Sequence, residues 1–305
     1  MKHVLSLFDL TTDEILAVLE KSSELKAALA TGERPTLLKG MNLAMLFQKQ
    51  SLRTRVSFEA GMVQLGGNSM YLGADVGWGK RESVKDFSEV LSQYVEFIAV
   101  RAKKHQDVVD LAQFATCPVI NALTDYSHPC QALADVLTIQ EVHSDVSGKH
   151  LVYIGDANNV ARSLSIISLK LGMKISIVCP EAYQFTDEEI REIQFGCEVD
   201  DGIVQTSDIA EGVATADAIY TDVWASMGQE SEQAVREKAF AGYQVNDRLM
   251  ESAPDSAIFL HCLPARRGQE VTDGVMDGTQ SYVVQQAGNR MHAQKGLLVW
   301  LHEQS

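Results

Sequence analysis

Short apolar runs alternate along this chain with longer stretches in which apolar residues recur three and four positions apart. In the first half the runs are Leu43–Phe47, Met70–Leu72, Phe97–Val100 and Val119–Ile120. In the second half they are Leu151–Ile154, Ile175–Val178, Ile203–Val204, Ala218–Tyr220, Ile258–Leu260 and Tyr282–Val284. The segments between them show helical spacing, as at Leu133, Val136 and Leu137. Alternation of this kind predicts strands joined by helices, hence parallel sheets covered on both faces. The expected fold class is α/β, with two doubly wound parallel-sheet domains. The polar stretch Glu141–Lys149 precedes a new strand at about Leu151 and marks the break. The expected domains are 1–141 and 142–288. A last helix over about 289–305 is expected to pack back on the first domain.

Composition narrows the picture. The chain has 305 residues, enough for two domains of ordinary size. With 46% hydrophobic and 22% charged residues it has the profile of a soluble globular enzyme. No apolar run approaches the ~20 residues needed to span a bilayer. The start, MKHVLSLFDLTTDEI, lacks the long apolar segment of a signal peptide. Cys117, Cys130, Cys179, Cys197 and Cys262 are odd in number and free of CxxC spacing. They point to reduced thiols in a cytoplasm, and away from a disulfide framework or a structural metal site. A net charge of −15 disfavours nucleic acid as a partner. An anion could still bind, provided cations are concentrated locally, so the Arg-rich stretches carry information.

Several constellations follow candidate strands. Ser51-Leu-Arg-Thr-Arg55 opens a segment with Val56, Ala60 and Val63 on one helical face, and Ser51 suits its N-cap. A helix N-terminus offers free N–H groups and a positive dipole end, to which Ser51, Arg53 and Thr54 would add hydrogen bonds for a phosphate. The plain alternative is a solvated cationic turn, but acids are the usual residues there, and two arginines call for an anion. Arg101 closes a strand, where open α/β sheets place ligands; a surface role is the alternative. His128-Pro-Cys-Gln131 sits at another strand end, with Pro129 at a first helical position. A neutral His128 could stabilise charge developing on a carbonyl oxygen, or simply be a satisfied structural histidine.

Gly155-Asp-Ala-Asn-Asn-Val160 has a strand–turn–helix shape, yet GxGxxG is absent, which disfavours a nicotinamide cofactor. Its amides either form the turn or reach a substrate carboxylate. Asp222-Val-Trp-Ala-Ser-Met-Gly228 and His261-Cys-Leu-Pro-Ala-Arg-Arg-Gly268 follow two more strands. Asp222 and Cys262 could converge at one rim and receive an ammonium group and its proton, although a buried inert cysteine is the common alternative.

These motifs, in this order and at these spacings, resemble the aspartate/ornithine carbamoyltransferase family. The resemblance rests on Ser51-Leu-Arg-Thr-Arg55, His128-Pro-Cys-Gln131, Asp222…Ser226-Met-Gly228 and His261-Cys-Leu-Pro264, and runs from about Asp9 to Leu301. Aspartate-specific members show His-Pro-Thr-Gln and His-Pro-Leu-Pro at the second and fourth motifs, so the chain is more similar to the ornithine-using branch. That resemblance implies transfer of the carbamoyl group of carbamoyl phosphate to L-ornithine, giving citrulline and phosphate, in arginine metabolism. It implies that domain 1–141 binds carbamoyl phosphate and domain 142–288 binds ornithine. Ser51, Arg53 and Thr54 would grip the phosphate. Arg101, His128 and Gln131 would hold the carbamoyl end, with Cys262, Leu263 (through its backbone) and Arg290 completing that pocket. Asn159, Asp222, Ser226 and Met227 would bind ornithine. Cys262, Asp222, His128 and Arg101 would act in catalysis. A cytoplasmic homotrimer with shared sites, and no metal or organic cofactor, are implied too.

The chain departs from the family pattern in places. Many ornithine enzymes carry Gln where this chain has Gly77, in a loop that reaches a neighbouring subunit's site, and Trp78, Lys80 and Arg81 are the residues that could replace it. Gly288 stands for the usual Glu before Asn289-Arg290, and Leu52 for the commoner Thr. The alternatives are a carbamoyltransferase for putrescine, an N-acylated ornithine or aspartate, a non-catalytic ligand-binding relative, and a dinucleotide oxidoreductase.

Overall fold

The computed structural model describes residues 2–199, 201–225 and 230–304. The chain separates into two compact units, Met1–Leu137 with Gly288–Ser305, and Thr138–Ala287.

In the first unit the order is α1 (Thr12–Ala30), β1 (Asn42–Phe47), α2 (Leu52–Gln64), β2 (Asn68–Leu72), α3 (Val84–Leu91), β3 (Phe97–Arg101), α4 (His105–Phe114) and β4 (Val119–Leu123). α5 (Pro129–His143) begins in this unit. The strands form one parallel sheet in the order β2-β1-β3-β4. β1 and β3 are buried at almost every position, as expected of parallel strands covered on both faces, whereas the edge strand β2 is largely accessible. Leu46, Ile98, Val100, Val108, Leu111 and Val119 pack together on one face.

In the second unit β5 (His150–Ile154), α6 (Asn159–Lys170), β6 (Lys174–Val178), α7 (Asp187–Gly196), β7 (Ile203–Thr206), α8 (Ile209–Val213) and β8 (Ala218–Thr221) follow in turn. They are succeeded by α9 (Gln233–Phe240), α10 (Asp247–Glu251), β9 (Ile258–His261), α11 (Asp273–Met276) and the start of α12 (Val283–Glu303). This sheet is also parallel, in the order β7-β6-β5-β8-β9. Val152, Ile154, Ile219 and Phe259 anchor a core against α8, α10 and α11.

In both sheets the order of strand addition reverses once. In the first sheet the reversal lies between β1 and β3, and in the second between β5 and β8. Strand carboxyl ends flanking such a switch point leave a crevice where ligands bind. Phe47 pairs with Arg101 at the first, and Ile154 with Thr221 at the second, so the loops that follow start level with one another.

One expected strand is not a strand. Ser281 makes only an isolated bridge to Phe259, and Val283 opens α12. Three apolar residues do not distinguish a strand from the first turn of a buried helix, and here the chain continues with helical spacing. α12 therefore starts six residues before the expected Asn289. From Gly288 onward α12 belongs to the first unit, where Gly296 lies so close to α1 that an added Cβ would stand 2.1 Å from Ser22 Oγ and 2.6 Å from the Val18 carbonyl oxygen.

Candidate active site

In the first unit Ser51 caps α2, its hydroxyl accepting from the Thr54 N–H at 3.3 Å and donating to Thr54 Oγ1 at 3.0 Å. Thr54 Oγ1 also accepts from Arg290 Nη2 at 2.8 Å, and Arg290 Nη1 donates to Gln131 Oε1. Gln131 is held in turn by its amide donating to Asp135 Oδ1 at 2.7 Å. One hydrogen-bonded chain thus joins the first turn of α2, α5 and α12. Arg101, Thr54, His128, Gln131 and Arg290 are all buried.

The turn before α5 is built by Asn121, whose amide donates to the carbonyls of Leu5 and Ser127, and by Thr124, whose N–H donates to the Ser127 carbonyl. It presents His128 at the cap position, its carbonyl accepting from the Gln131 and Ala132 N–H groups. Cys130, beside it, is turned inward on the Asn121 carbonyl, and burial pushes its thiol up to about 12, so it is an inert neighbour.

Like charges meet here. Burial, with Arg290 and Arg53 close by, pulls the Arg101 guanidinium down to about 10, still cationic at neutral pH. Burial, with Arg290 and Arg101, holds the His128 imidazole well below its usual range, so it is neutral. Three guanidinium groups near the positive end of a helix dipole make a place for a multiply charged anion. The expectation that both arginines of the 51–55 motif serve an anion is corrected for Arg55. It bonds Glu59 one helical turn on, at 2.9 Å, and lies over the Tyr71 ring, 4.2 Å from its centroid. An i,i+4 acid and an aromatic face account for it.

In the second unit Thr221 and His261 are opposite one another in register, so Asp222 and Cys262 leave their strands side by side. Cys262 Sγ donates to Asp222 Oδ1 at 3.0 Å, and the Val223 N–H donates to the same oxygen at 2.8 Å. The other carboxylate oxygen accepts from Asn158 Nδ2 at 3.4 Å. Asn158 Oδ1 caps α6 by accepting from the Val160 and Ala161 N–H groups, and it accepts from the Tyr153 hydroxyl at 3.2 Å. That cap orients the amide, leaving its nitrogen to face Asp222. Asn159 is the first residue of α6. Ser226 and Met227 lie outside the described residues.

Sequence reasoning missed three supports of this unit. Asn158 was visible only as one of two turn amides. Arg236 is buried on α9 and donates to Asp156 Oδ2 at 2.7 Å and to the Trp224 carbonyl at 3.3 Å, fastening the loops after β5 and β8 together. Glu270 is fully buried and faces His261 Nε2 at 3.2 Å. Neither belongs to a motif; Arg236 acts on a residue 80 positions away, and Glu270 on a histidine nine positions before it.

Asp222, His261 and Cys262 each offer a ligand atom within 4.8 Å of the others. Both His261 ring nitrogens are already engaged, Nδ1 accepting from the Leu263 N–H at 2.8 Å and Nε2 facing Glu270, so a cation here would have to displace one of them.

Gly77 has φ +74°, and an added Cβ would stand 2.5 Å from Arg81 Cδ. Trp78 packs on the core of the first unit, while Lys80 and Arg81 are exposed. The left-handed backbone of this loop favours glycine at position 77.

Comparison with known proteins agrees with this architecture. Residues 2–141 match the carbamoyl-phosphate-binding domain, and residues 147–301 the aspartate/ornithine-binding domain, of aspartate/ornithine carbamoyltransferases. The chain belongs to that family. It is 50% identical to an ornithine carbamoyltransferase of Anoxybacillus flavithermus, across 98% of this chain and 96% of that protein. It is 47% identical to one of Pyrococcus furiosus described as anabolic, across 97% and 95%. The solved structure of an ornithine carbamoyltransferase from Pyrococcus furiosus superposes with a TM-score of 0.93, covering 97% of this chain and 96% of that one.

Proposed function

We propose that this protein is an ornithine carbamoyltransferase, converting carbamoyl phosphate and L-ornithine to L-citrulline and phosphate. The observation that carries this reading is the hydrogen-bonded chain from Arg290 to Thr54 and Gln131 at the N-terminus of α2, with Arg53, Arg101 and neutral His128 beside it. Ser51, Arg53 and Thr54 hold the phosphate. Arg101, His128, Gln131 and Arg290 hold the carbamoyl end, together with Cys262 and the Leu263 backbone. Asn159, Asp222, Ser226 and Met227 hold ornithine. The first unit takes carbamoyl phosphate and the second the amino acid.

An alkylamine has an ordinary pKa of about 10.4 and arrives protonated at neutral pH. Asp222 and Cys262 accept one proton and release the amine lone pair. The amine attacks the carbamoyl carbon, and Arg101, Thr54 and the N–H of His128 stabilise the oxyanion. The C–O bond to phosphate then breaks, the arginines balance the departing charge, and the phosphate takes the second amine proton. No step calls on a metal or an organic cofactor.

The active form is a homotrimer of the cytoplasm. Leu52, Val56 and Val63 form one exposed apolar stripe on α2, with Met70 accessible on edge strand β2, which supports self-association. All five cysteines are free thiols, in keeping with a reducing compartment. Among the described residues no helix is long and apolar enough to cross a membrane.

Replacing Arg101 with Leu tests the carrying observation. Steady-state phosphate release should show kcat/KM for carbamoyl phosphate reduced by about 10²-fold or more, the scale of losing a charged transition-state contact. An unchanged kcat/KM contradicts the reading.

A further inference from the structure

We propose that Glu270 is a positioning residue for carbamoyl transfer: through His261 it sets the backbone of the turn that carries Cys262 and Leu263. This rests on the assignment of Cys262 and Leu263 to the reacting end of the site.

The geometry runs through one carboxylate oxygen. His261 ends β9 and is almost wholly buried, as is Glu270. Its Nδ1 accepts from the Leu263 N–H at 2.8 Å, so that nitrogen carries no proton. The ring proton therefore lies on Nε2, directed at Glu270 Oε1, 3.2 Å away. The same oxygen accepts from the Arg266 N–H at 2.5 Å. Glu270 thus ties the turn at two points, at Leu263 by way of the imidazole and at Arg266 directly. On the other side the His261 N–H donates to Gln286 Oε1 at 2.8 Å.

Leu263 needs this restraint. Its φ is +58°, a left-handed conformation that a leucine holds only when its surroundings impose it. The Leu263 peptide follows directly on Cys262, whose thiol lies 3.0 Å from Asp222. Releasing the Leu263 N–H frees that peptide to rotate, and moves both the thiol and the backbone groups beside it. Burying a carboxylate and an imidazole is costly compared with packing two apolar side chains in the same volume. What the polar pair adds is a fixed tautomer, and hence a fixed acceptor for Leu263.

The experiment uses the full chain. Glu270→Gln keeps an oxygen for both donors, whereas Glu270→Leu removes it. Thermal unfolding, kcat and both KM values are measured for each. Glu270→Gln should stay close to the parent kcat. Glu270→Leu should fold and lose about 10²-fold in kcat, the scale of a misplacement near 1 Å, with little change in KM for carbamoyl phosphate. A folded Glu270→Leu with parent kcat overturns the inference, as does a Glu270→Gln that falls equally far. Should Glu270→Leu fail to fold, His261→Asn and His261→Gln replace it. The Asn oxygen reaches the Nδ1 position and the Gln amide the Nε2 position, so His261→Asn should be the more active; parity or the reverse order overturns the idea. Cys262→Ala separates the layers. If it alone loses turnover while Glu270→Leu does not, only this inference falls; if it keeps parent kcat, the site assignment itself falls.

Discussion

His128 is neutral for a physical reason with a measurable consequence. Its folded pKa lies well below that of an exposed histidine because it is buried and stands near Arg290 and Arg101. A group with a depressed folded pKa contributes stability that is complete above the unfolded value, about 6.5, and is lost as pH falls. The unfolded chain takes up a proton there that the folded chain refuses. Each such group costs about 1.4 kcal/mol of stability per pH unit between its unfolded and folded values, and no more once the folded chain is protonated too. His3, His105 and His150 are shifted the same way, each chiefly by burial. We expect the urea midpoint to fall steadily between pH 7 and pH 5, and His128→Gln to flatten the fall by about one proton's worth. An unchanged slope in His128→Gln would show that the imidazole does not stay neutral in the folded protein.

At the scale of elements, the helices are defined as much by where they stop and touch as by their apolar faces. α12 passes from one unit into the other and brings Arg290 to Thr54 and Gln131. Its seat on α1 depends on Gly296. Gly296→Val would drive methyl groups into the Val18 carbonyl and Ser22, and should destabilise the protein by about 1–3 kcal/mol, as overpacking does. Equilibrium denaturation measures this, and a neutral result would mean that the two helices are not packed this closely.

Most of the strands were legible because each is a buried run of apolar residues. Arg101, Asp222 and Cys262 were legible as residues that follow such runs. Tyr282–Val284 was misread because a short apolar run has no period of its own. Arg236 and Glu270 could not be read at all. Arg236 meets Asp156, 80 residues away, only because β5 and β8 lie side by side, and Glu270 meets His261 because the turn after β9 folds back on the end of its own strand. Gly77 was recognised as a departure, but its reason, a left-handed φ against the Arg81 side chain, belongs to the folded loop.

For the molecule as a whole, a net charge of −15 contrasts with the local meeting of Arg53, Arg101 and Arg290, a contrast that suits an anion site. The apolar stripe on α2 has a consequence at the same scale. Val63→Glu with Leu52→Glu should convert the proposed trimer to monomer in sedimentation velocity, since burying two charges without partners opposes association. A trimer that survives both changes would place the contact elsewhere.

Transfer of a carbamoyl group to ornithine is decided by an acceptor comparison. The purified protein is given carbamoyl phosphate with L-ornithine, L-aspartate, putrescine or N-acetylornithine, and both phosphate release and the carbamoylated product are measured. Rapid release with ornithine, matched mole for mole by citrulline, is expected, with only background release from the other three. Turnover of any of those three with none of ornithine would contradict carbamoyl transfer to ornithine.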